Sequence, residues 1–193
     1  TAIQDDQPRG QASKSGKPEL GFHRILMSAR WQFMDYTFYD GTWLPNGVDE
    51  GTLHEYWHAI HFSHLSNKEI EYHQQKPNNF SGPVWFIEGS AVYMSAYAMA
   101  YLTNSGRLDY ANNPYSLNGN MSNRMESGLA AKAEYPDYNL GTYTYNEGRN
   151  GAYSLGAWAI AYLLNRTGNQ NALVDAFFPN LQNLEFEGAF QLT

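Results

Sequence analysis

The sequence predicts an α+β fold, in which a small N-terminal antiparallel sheet packs on a histidine-rich helix and the C-terminal part is mainly helical. The β-prone run Tyr36–Tyr39 ends at an Asp-Gly turn signal, which is typical of a hairpin strand. The stretch Asp49–Leu65 starts with a good N-cap residue and predicts a helix. Pro83 precedes the Ala-rich apolar stretch Val84–Leu102, which predicts a second helix, buried on most sides.

The rest of the chain divides around these elements. Residues 1–19 are polar and rich in Gln, Ser and Gly, and predict a flexible lead-in. Residues 20–193 are predicted to form a single catalytic domain with an N-terminal part at about 20–66 and a helical C-terminal part at about 83–193. Asn, Gly, Ser and Tyr dominate residues 103–150, which favours an irregular region with a short helix near Met121–Lys132. Three further helices are predicted over 152–164, 169–178 and 184–192.

Composition excludes several classes of function. The net charge is −7 and basic residues are not clustered, so no nucleic-acid partner is expected. No apolar run is long enough to cross a bilayer, so no membrane insertion is expected. Because the chain has no cysteine, a metal would have to be bound by His, Asp or Glu. Abundant tyrosine and glycine with little lysine favour an extracellular or periplasmic protein.

The strongest chemical signal is the sequence His54-Glu55-Tyr56-Trp57-His58, an HExxH motif. Histidines four residues apart on a helix lie one turn apart on the same face, so both imidazoles can reach one ion. The glutamate after the first histidine projects beside that pair, where it can accept a proton from a metal-bound water. The motif therefore predicts a metallohydrolase with His54 and His58 as ligands and Glu55 as general base.

A catalytic zinc site usually has three protein ligands, and two candidates exist for the third. One is His64, at the position of the last histidine in the longer metzincin pattern HExxHxxGxxH. That pattern has glycine, which breaks the helix, where this chain has His61. If the helix continues, His64 lies about 600° around it from His58 and cannot share the ion. His61 itself is expected on the ligand-bearing face, as a neighbour of the site. The other candidate is a carboxylate from a second helix.

The sequence Trp85-Phe86-Ile87-Glu88-Gly89-Ser90-Ala91 resembles the second motif of the gluzincin metallopeptidases, which follows their HExxH helix. This resemblance implies a zincin-like metallopeptidase domain that binds one Zn²⁺ ion, with Glu88 as the third ligand. A carboxylate inside an apolar helix is costly to bury without a partner, and a zinc ion is a sufficient one.

A later segment, beginning Tyr153-Ser154-Leu155-Gly156, resembles the helix that carries a catalytic tyrosine in bacterial collagenases and leukotriene-hydrolase-like aminopeptidases. The resemblance implies that Tyr153 donates its hydroxyl to the oxyanion of the tetrahedral intermediate. Tyr143 and Tyr145, just upstream, are alternatives for that role. The chain has no Gly-x-Met-Glu-Asn sequence, which such aminopeptidases use to bind a substrate amino terminus.

The motifs together predict zinc-dependent hydrolysis of peptide bonds in a peptide or protein substrate, and the missing aminopeptidase sequence favours an endopeptidase. A zinc-bound water would attack the carbonyl, with Glu55 as general base. Two alternatives stay open at the sequence level. One is a metzincin-type peptidase that uses His64, and the other is a peptidase-like binding module without catalysis.

Overall fold

A computed structural model describes the chain over residues 10–14, 23–27, 36–37, 43–44, 47–65, 82–108, 115–181, 184 and 186–191. The lead-in predicted over residues 1–19 lies outside the described residues except for the first strand.

Within the described part of the chain, four short strands form two separate antiparallel ladders. The first pairs β1 (Gly10–Lys14) with β2 (His23–Met27), and the second pairs β3 (Tyr36–Thr37) with β4 (Trp43–Leu44). In the first ladder Gly10 lies opposite Met27, and in the second Tyr36 lies opposite Leu44. Each ladder has only two strands, fewer than a sheet needs to form a stable layer by itself.

Helices make up most of the described residues. They are α1 (Gly47–Ser63), α2 (Val84–Asn104), α3 (Leu117–Glu134), α4 (Arg149–Thr167), α5 (Phe178–Leu181) and α6 (Phe186–Gln191). A 3₁₀ turn (Leu140–Thr142) precedes α4, and a π-helical turn (Leu173–Phe177) leads into α5. None of the helices in the described part of the chain is long and apolar enough to cross a membrane.

The predicted fold class, α+β with an N-terminal sheet on the histidine-rich helix, is wrong: the described fold is mainly helical. The large apolar side chains that fill the described core, such as Phe86, Ile160 and Phe177, come from helices. A β-prone run predicts only a local extended conformation. Whether it becomes a layer depends on partner strands, which local propensity does not specify.

The prediction that residues 103–150 are largely irregular is also wrong, because α3 alone has 18 residues. Ser116 caps this helix by accepting a hydrogen bond from the backbone N–H of Gly119. Its buried residues, Met121, Gly128 and Ala131, recur at the spacing of one helical face. Many of the other positions carry Asn, Ser or charged residues, so the overall composition of α3 resembles a loop.

The helices that carry the functional candidates are closer to expectation. Helix α1 starts at Gly47, so Asp49 lies inside the first turn and is not the N-cap. Helix α2 starts directly after Pro83, as predicted, and its N-terminal half is almost fully buried. The Glu50 carboxylate of α1 accepts hydrogen bonds from the Tyr115 hydroxyl (2.9 Å) and the Asn120 amide (3.3 Å), which joins α1 to the start of α3.

Helices α2 and α4 touch backbone to backbone. A Cβ atom placed on Gly89 would lie 2.3 Å from the carbonyl carbon of Gly156, and one placed on Gly156 would lie 2.3 Å from the carbonyl oxygen of Trp85. Neither position has room for a larger residue unless the helices separate. This contact holds α2, and with it the residue before Gly89, at a fixed distance from α4.

Candidate metal centre

Three side chains from two helices converge at one point. His54 and His58 extend from adjacent turns of α1, and Glu88 reaches them from the first half of α2. The two Nε2 atoms lie 3.0 Å apart. The Glu88 Oε2 atom lies 3.2 Å from Nε2 of His54 and 3.3 Å from Nε2 of His58. Among the described residues, this is the group of ligand-type side chains whose atoms lie close enough together to hold a metal ion.

The spacing of these atoms fits a small divalent cation. Zinc binds histidine nitrogen and carboxylate oxygen at about 2.0–2.1 Å, and tetrahedral ligands at that radius lie about 3.3 Å from one another. The observed separations of 3.0, 3.2 and 3.3 Å are close to that value. Two imidazoles and one carboxylate also form a donor set that catalytic zinc sites use, with a fourth position left for water.

The Glu88 carboxylate is ionised although only 5% of the residue is exposed. Burial raises the pKa of Glu88, but hydrogen bonds from His54 and His58 together lower it more, so the pKa lies well below its usual range. A buried negative charge needs a cation or strong hydrogen-bond donors beside it. The Nε2 atoms of both histidines face the same Glu88 oxygen and lie only 3.0 Å from each other. A cation shared by these three atoms satisfies them better than a hydrogen bond between the two histidines.

Contacts away from the ligands set the position of α2 against α1. The Trp57 indole N–H donates a 3.0 Å hydrogen bond to the Ser90 hydroxyl, which joins the two helices at the residue before His58 and two residues after Glu88. Ser90 in turn donates to the carbonyl of Ile87 in its own helix. Both residues of this interhelical bond are buried, so it is shielded from competition by water.

Glu55, the predicted general base, directly follows the first ligand on α1 and is 7% exposed. Successive helical residues are rotated by about 100°, so its carboxylate projects to the side of the two histidines. That is the position which the HExxH motif requires for a base that acts beside the metal without binding it.

Tyr145 supports the carboxylate ligand from the other side. Its hydroxyl donates a 2.8 Å hydrogen bond to Glu88 Oε1, the oxygen that does not face the histidines. Burial, and then the negative charge of Glu88, raise the pKa of Tyr145, so the phenol keeps its proton. With Oε1 held in this way, Oε2 is the oxygen presented to a metal.

Tyr143 fixes the loop that carries Tyr145, because its side chain is buried against the start of α4. Gly148 has a left-handed φ of 67°, and a Cβ there would lie 2.3 Å from the Tyr143 ring. The Tyr138 hydroxyl also donates a 2.6 Å hydrogen bond to Glu147 in the same loop. The loop is therefore closely packed at Tyr143 and Gly148, which lie on either side of Tyr145.

Tyr153, predicted from the family resemblance, lies beside the first ligand. Its ring stacks on the imidazole of His54, with centroids 6.1 Å apart and planes 9° from parallel. Burial is the main cause that raises the pKa of Tyr153, and the charge of Glu88 adds to it. Its oxygen accepts a 3.4 Å hydrogen bond from Arg149, and a hydrogen bond to Glu88 also contributes to its raised pKa.

The other two histidines of the cluster lie apart from the ligand group. The His64 Nδ1 atom is 2.9 Å from the carbonyl of Ile60, and its ring stacks on Phe178 at 5.0 Å. His61 is fully buried among aromatic rings of the core, including Phe86 and Phe178. The sequence predicts His61 on the ligand-bearing face of α1, as a neighbour of the site. In the structure its ring packs in the hydrophobic core.

Sequence reasoning did not identify Arg149, and it named Tyr145 only as an alternative to Tyr153. Arg149 lies four residues before Tyr153, the spacing that brings two side chains together on a helix. That spacing is a signal that could have identified it. The contact between Tyr145 and Glu88 joins residues 57 positions apart, and no local pattern predicts it.

No protein-family model, curated protein or solved structure matches this chain. The resemblance to gluzincins therefore rests on the motif residues alone, and membership of that family stays a prediction.

Proposed function

We propose that the chain is a zinc-dependent peptidase of gluzincin type that hydrolyses peptide bonds. The observation that carries the proposal is the convergence of His54, His58 and Glu88, whose ligand atoms lie 3.0–3.3 Å apart on two helices. The presence of Glu55 immediately after the first ligand supports hydrolysis over a purely structural metal site, which needs no base.

The ligand set would hold one zinc ion, which when bound supplies a Lewis acid and lowers the pKa of water to about 7. The chain provides the proton transfers. Glu55 accepts a proton from the attacking water and later returns it to the leaving amine, two steps that one carboxylate can perform in sequence.

Two tyrosines have separate roles in this proposal. Tyr153 keeps its proton because its pKa is raised, and it donates a hydrogen bond to the carbonyl oxygen as negative charge develops there. Such a donor contributes about 3 kcal/mol of transition-state stabilisation in comparable sites. Tyr145 stays on Glu88 Oε1 and positions the ligand without contacting the substrate.

The geometry favours this proposal over its two alternatives. A metzincin-type site would need His64, whose Nδ1 atom is 2.9 Å from the carbonyl of Ile60 and whose ring stacks on Phe178. A binding module without catalysis needs no general base, whereas this chain has the buried residue Glu55 directly after the first ligand.

The test is the substitution Glu55→Gln, which keeps the shape of the side chain and removes its basicity. We expect one zinc ion per chain by elemental analysis in both proteins. We also expect cleavage of a peptide library, followed by mass spectrometry, to fall by about 10²–10⁴-fold in the variant, the range for loss of a general base.

Glu126→Gln is the matched control, because Glu126 is exposed on α3 and should leave cleavage unchanged. Full activity in Glu55→Gln would remove the assigned role of that residue. A wild-type protein that binds zinc but cleaves no peptide would favour the binding module, and iron in place of zinc would contradict the zinc assignment.

A further inference from the structure

Arg149 extends the candidate metal centre outward. It is the first residue of α4, and its side chain folds back over the ring of Tyr153, with the guanidinium carbon 5.0 Å from the ring centroid. Since Tyr153 itself stacks on His54, an imidazole, a phenol and a guanidinium lie in sequence from the ligand group toward solvent.

The guanidinium has no carboxylate partner among the described residues, although the chain carries a net charge of −7. Two other described cations, Arg124 and Lys132, are engaged elsewhere. Arg124 lies 3.6 Å from the Glu50 carboxylate, and Lys132 donates 2.6 Å hydrogen bonds to two backbone carbonyls. Arg149 is exposed, and its bond to the Tyr153 hydroxyl uses one of its five N–H groups.

We propose that Arg149 binds a carboxylate of the substrate that lies within one residue of the cleaved bond. This inference rests on the proposed peptidase function and adds the substrate class: peptides with an acidic side chain or a free C-terminal carboxylate at that position. The short distance between Arg149 and Tyr153 determines which substrate residue Arg149 can reach. Arg149 Nη2 is 3.4 Å from the Tyr153 hydroxyl, and consecutive residues of a peptide are about 3.8 Å apart.

Arginine suits this role because its planar guanidinium offers a fork of donors to the two oxygens of a carboxylate. Contact with Tyr153 holds the guanidinium in place before the substrate arrives. The carbonyl that accepts from Tyr153 and the carboxylate that accepts from Arg149 would then be bound side by side.

The experiment measures equilibrium binding of short peptides to the zinc-loaded Glu55→Gln protein, which is expected to bind peptides without cleaving them. Four N-acetylated tripeptides separate the two sources of carboxylate. Ala-Ala-Asp amide is compared with Ala-Ala-Asn amide, and Ala-Ala-Ala free acid with Ala-Ala-Ala amide. We expect at least one acidic member to bind about tenfold or more tightly than its neutral counterpart, as for a charge-assisted pair.

Adding Arg149→Gln should abolish that preference while leaving zinc content and affinity for the neutral peptides unchanged. Arg149→Lys should retain part of it, because the charge remains and the fork is lost. Arg166→Gln is the control, since Arg166 is exposed at the other end of α4. Equal affinity for acidic and neutral peptides, failure of all four to bind, or an equal loss of affinity for both kinds in Arg149→Gln would overturn the inference.

Failure of the inference is distinguishable from failure of the proposed function. Cleavage of library peptides by the wild-type protein without any preference for acidic residues contradicts only the role of Arg149. A preference for acidic peptides in a zinc-loaded wild-type protein that cleaves nothing contradicts the hydrolase and leaves the carboxylate site in place.

Discussion

Two buried histidines of α1, one turn apart, have opposite surroundings. His58 lies with its Nε2 atom 3.3 Å from the ionised carboxylate of Glu88. His61 is 0% exposed, and neither of its ring nitrogens has a hydrogen-bond partner among the described residues. Its ring packs against Phe86 at 5.8 Å and Phe178 at 5.4 Å.

The two histidines differ because residues of α2 lie opposite them, although both belong to α1. Phe86 and Glu88 are two residues apart on that helix, and each faces a different histidine. A histidine beside a carboxylate can take part in metal binding, whereas one beside phenylalanine behaves as an aromatic core residue. The function of a histidine cluster is thus decided by what the partner helix places opposite each ring.

The largest expected effect is on the ligand group. Glu88→Ala should lower the affinity for zinc by more than about 100-fold, because even the loss of a group behind a ligand costs 10–100-fold. Elemental analysis after dialysis should find close to one zinc ion per chain in the wild-type protein and almost none in the variant.

His64→Ala is the opposing variant and should retain zinc, since His64 lies outside the ligand group. Zinc retained by Glu88→Ala and lost from His64→Ala would reverse the assignment and favour a metzincin-type site.

The second prediction concerns His61 and the pH dependence of stability. Burial is the main cause that lowers the pKa of His61 to about 3, from 6.5. The nearby charges of His58 and His64 on α1 lower it further, and Glu88 on α2 opposes them. The folded state therefore favours neutral His61, and its contribution to stability is complete above pH 6.5 and lost as the pH falls from 6.5 toward 3.

A His61→Leu variant isolates this contribution, because the other titrating groups are common to both proteins. With a chelator present, urea unfolding of each protein should be measured from pH 7.5 to pH 5. The wild-type free energy of unfolding should fall relative to the variant by about 2 kcal/mol at pH 5, or about 1.4 kcal/mol per pH unit below 6.5. Parallel pH profiles would show that His61 does not titrate on unfolding.

The smallest expected effect follows from loss of the hydrogen bond that Tyr145 donates to the ligand Glu88. Tyr145→Phe removes the hydrogen bond to Glu88 Oε1 and leaves the ring, so zinc affinity should fall about tenfold. Competition with a chromophoric chelator measures that change. Tyr162→Phe, an exposed tyrosine on α4, is the matched control. Equal affinity in Tyr145→Phe and wild type would mean that the hydrogen bond has no influence on the ligand.

The sequence identified the parts of the site that local spacing determines. The separation of four positions from His54 to His58 places them on one helical face, and Pro83 marks the start of the helix that carries Glu88. The same reasoning failed for α3, whose polar surface hides the buried face of Met121, Gly128 and Ala131. It also failed for the sheet, because β propensity does not reveal how many strands will pair.

Contacts between distant segments were beyond local reasoning. Tyr145 reaches Glu88 from a loop whose path depends on the packing of Tyr143, and no periodic pattern encodes that path. Arg149 is an intermediate case. Its spacing from Tyr153 is visible in the sequence, but its importance appears only when Tyr153 is seen against His54.

The contact between Gly89 and Gly156 bears on the entropy of metal binding. Glu88 is the residue next to this contact, so its backbone is held by α4 whether or not an ion is bound. A ligand that is already immobile loses little conformational freedom when it binds an ion, and less of the binding free energy is used to order it. Two glycines that touch no ligand atom would thus strengthen metal binding by restricting the ligand in advance.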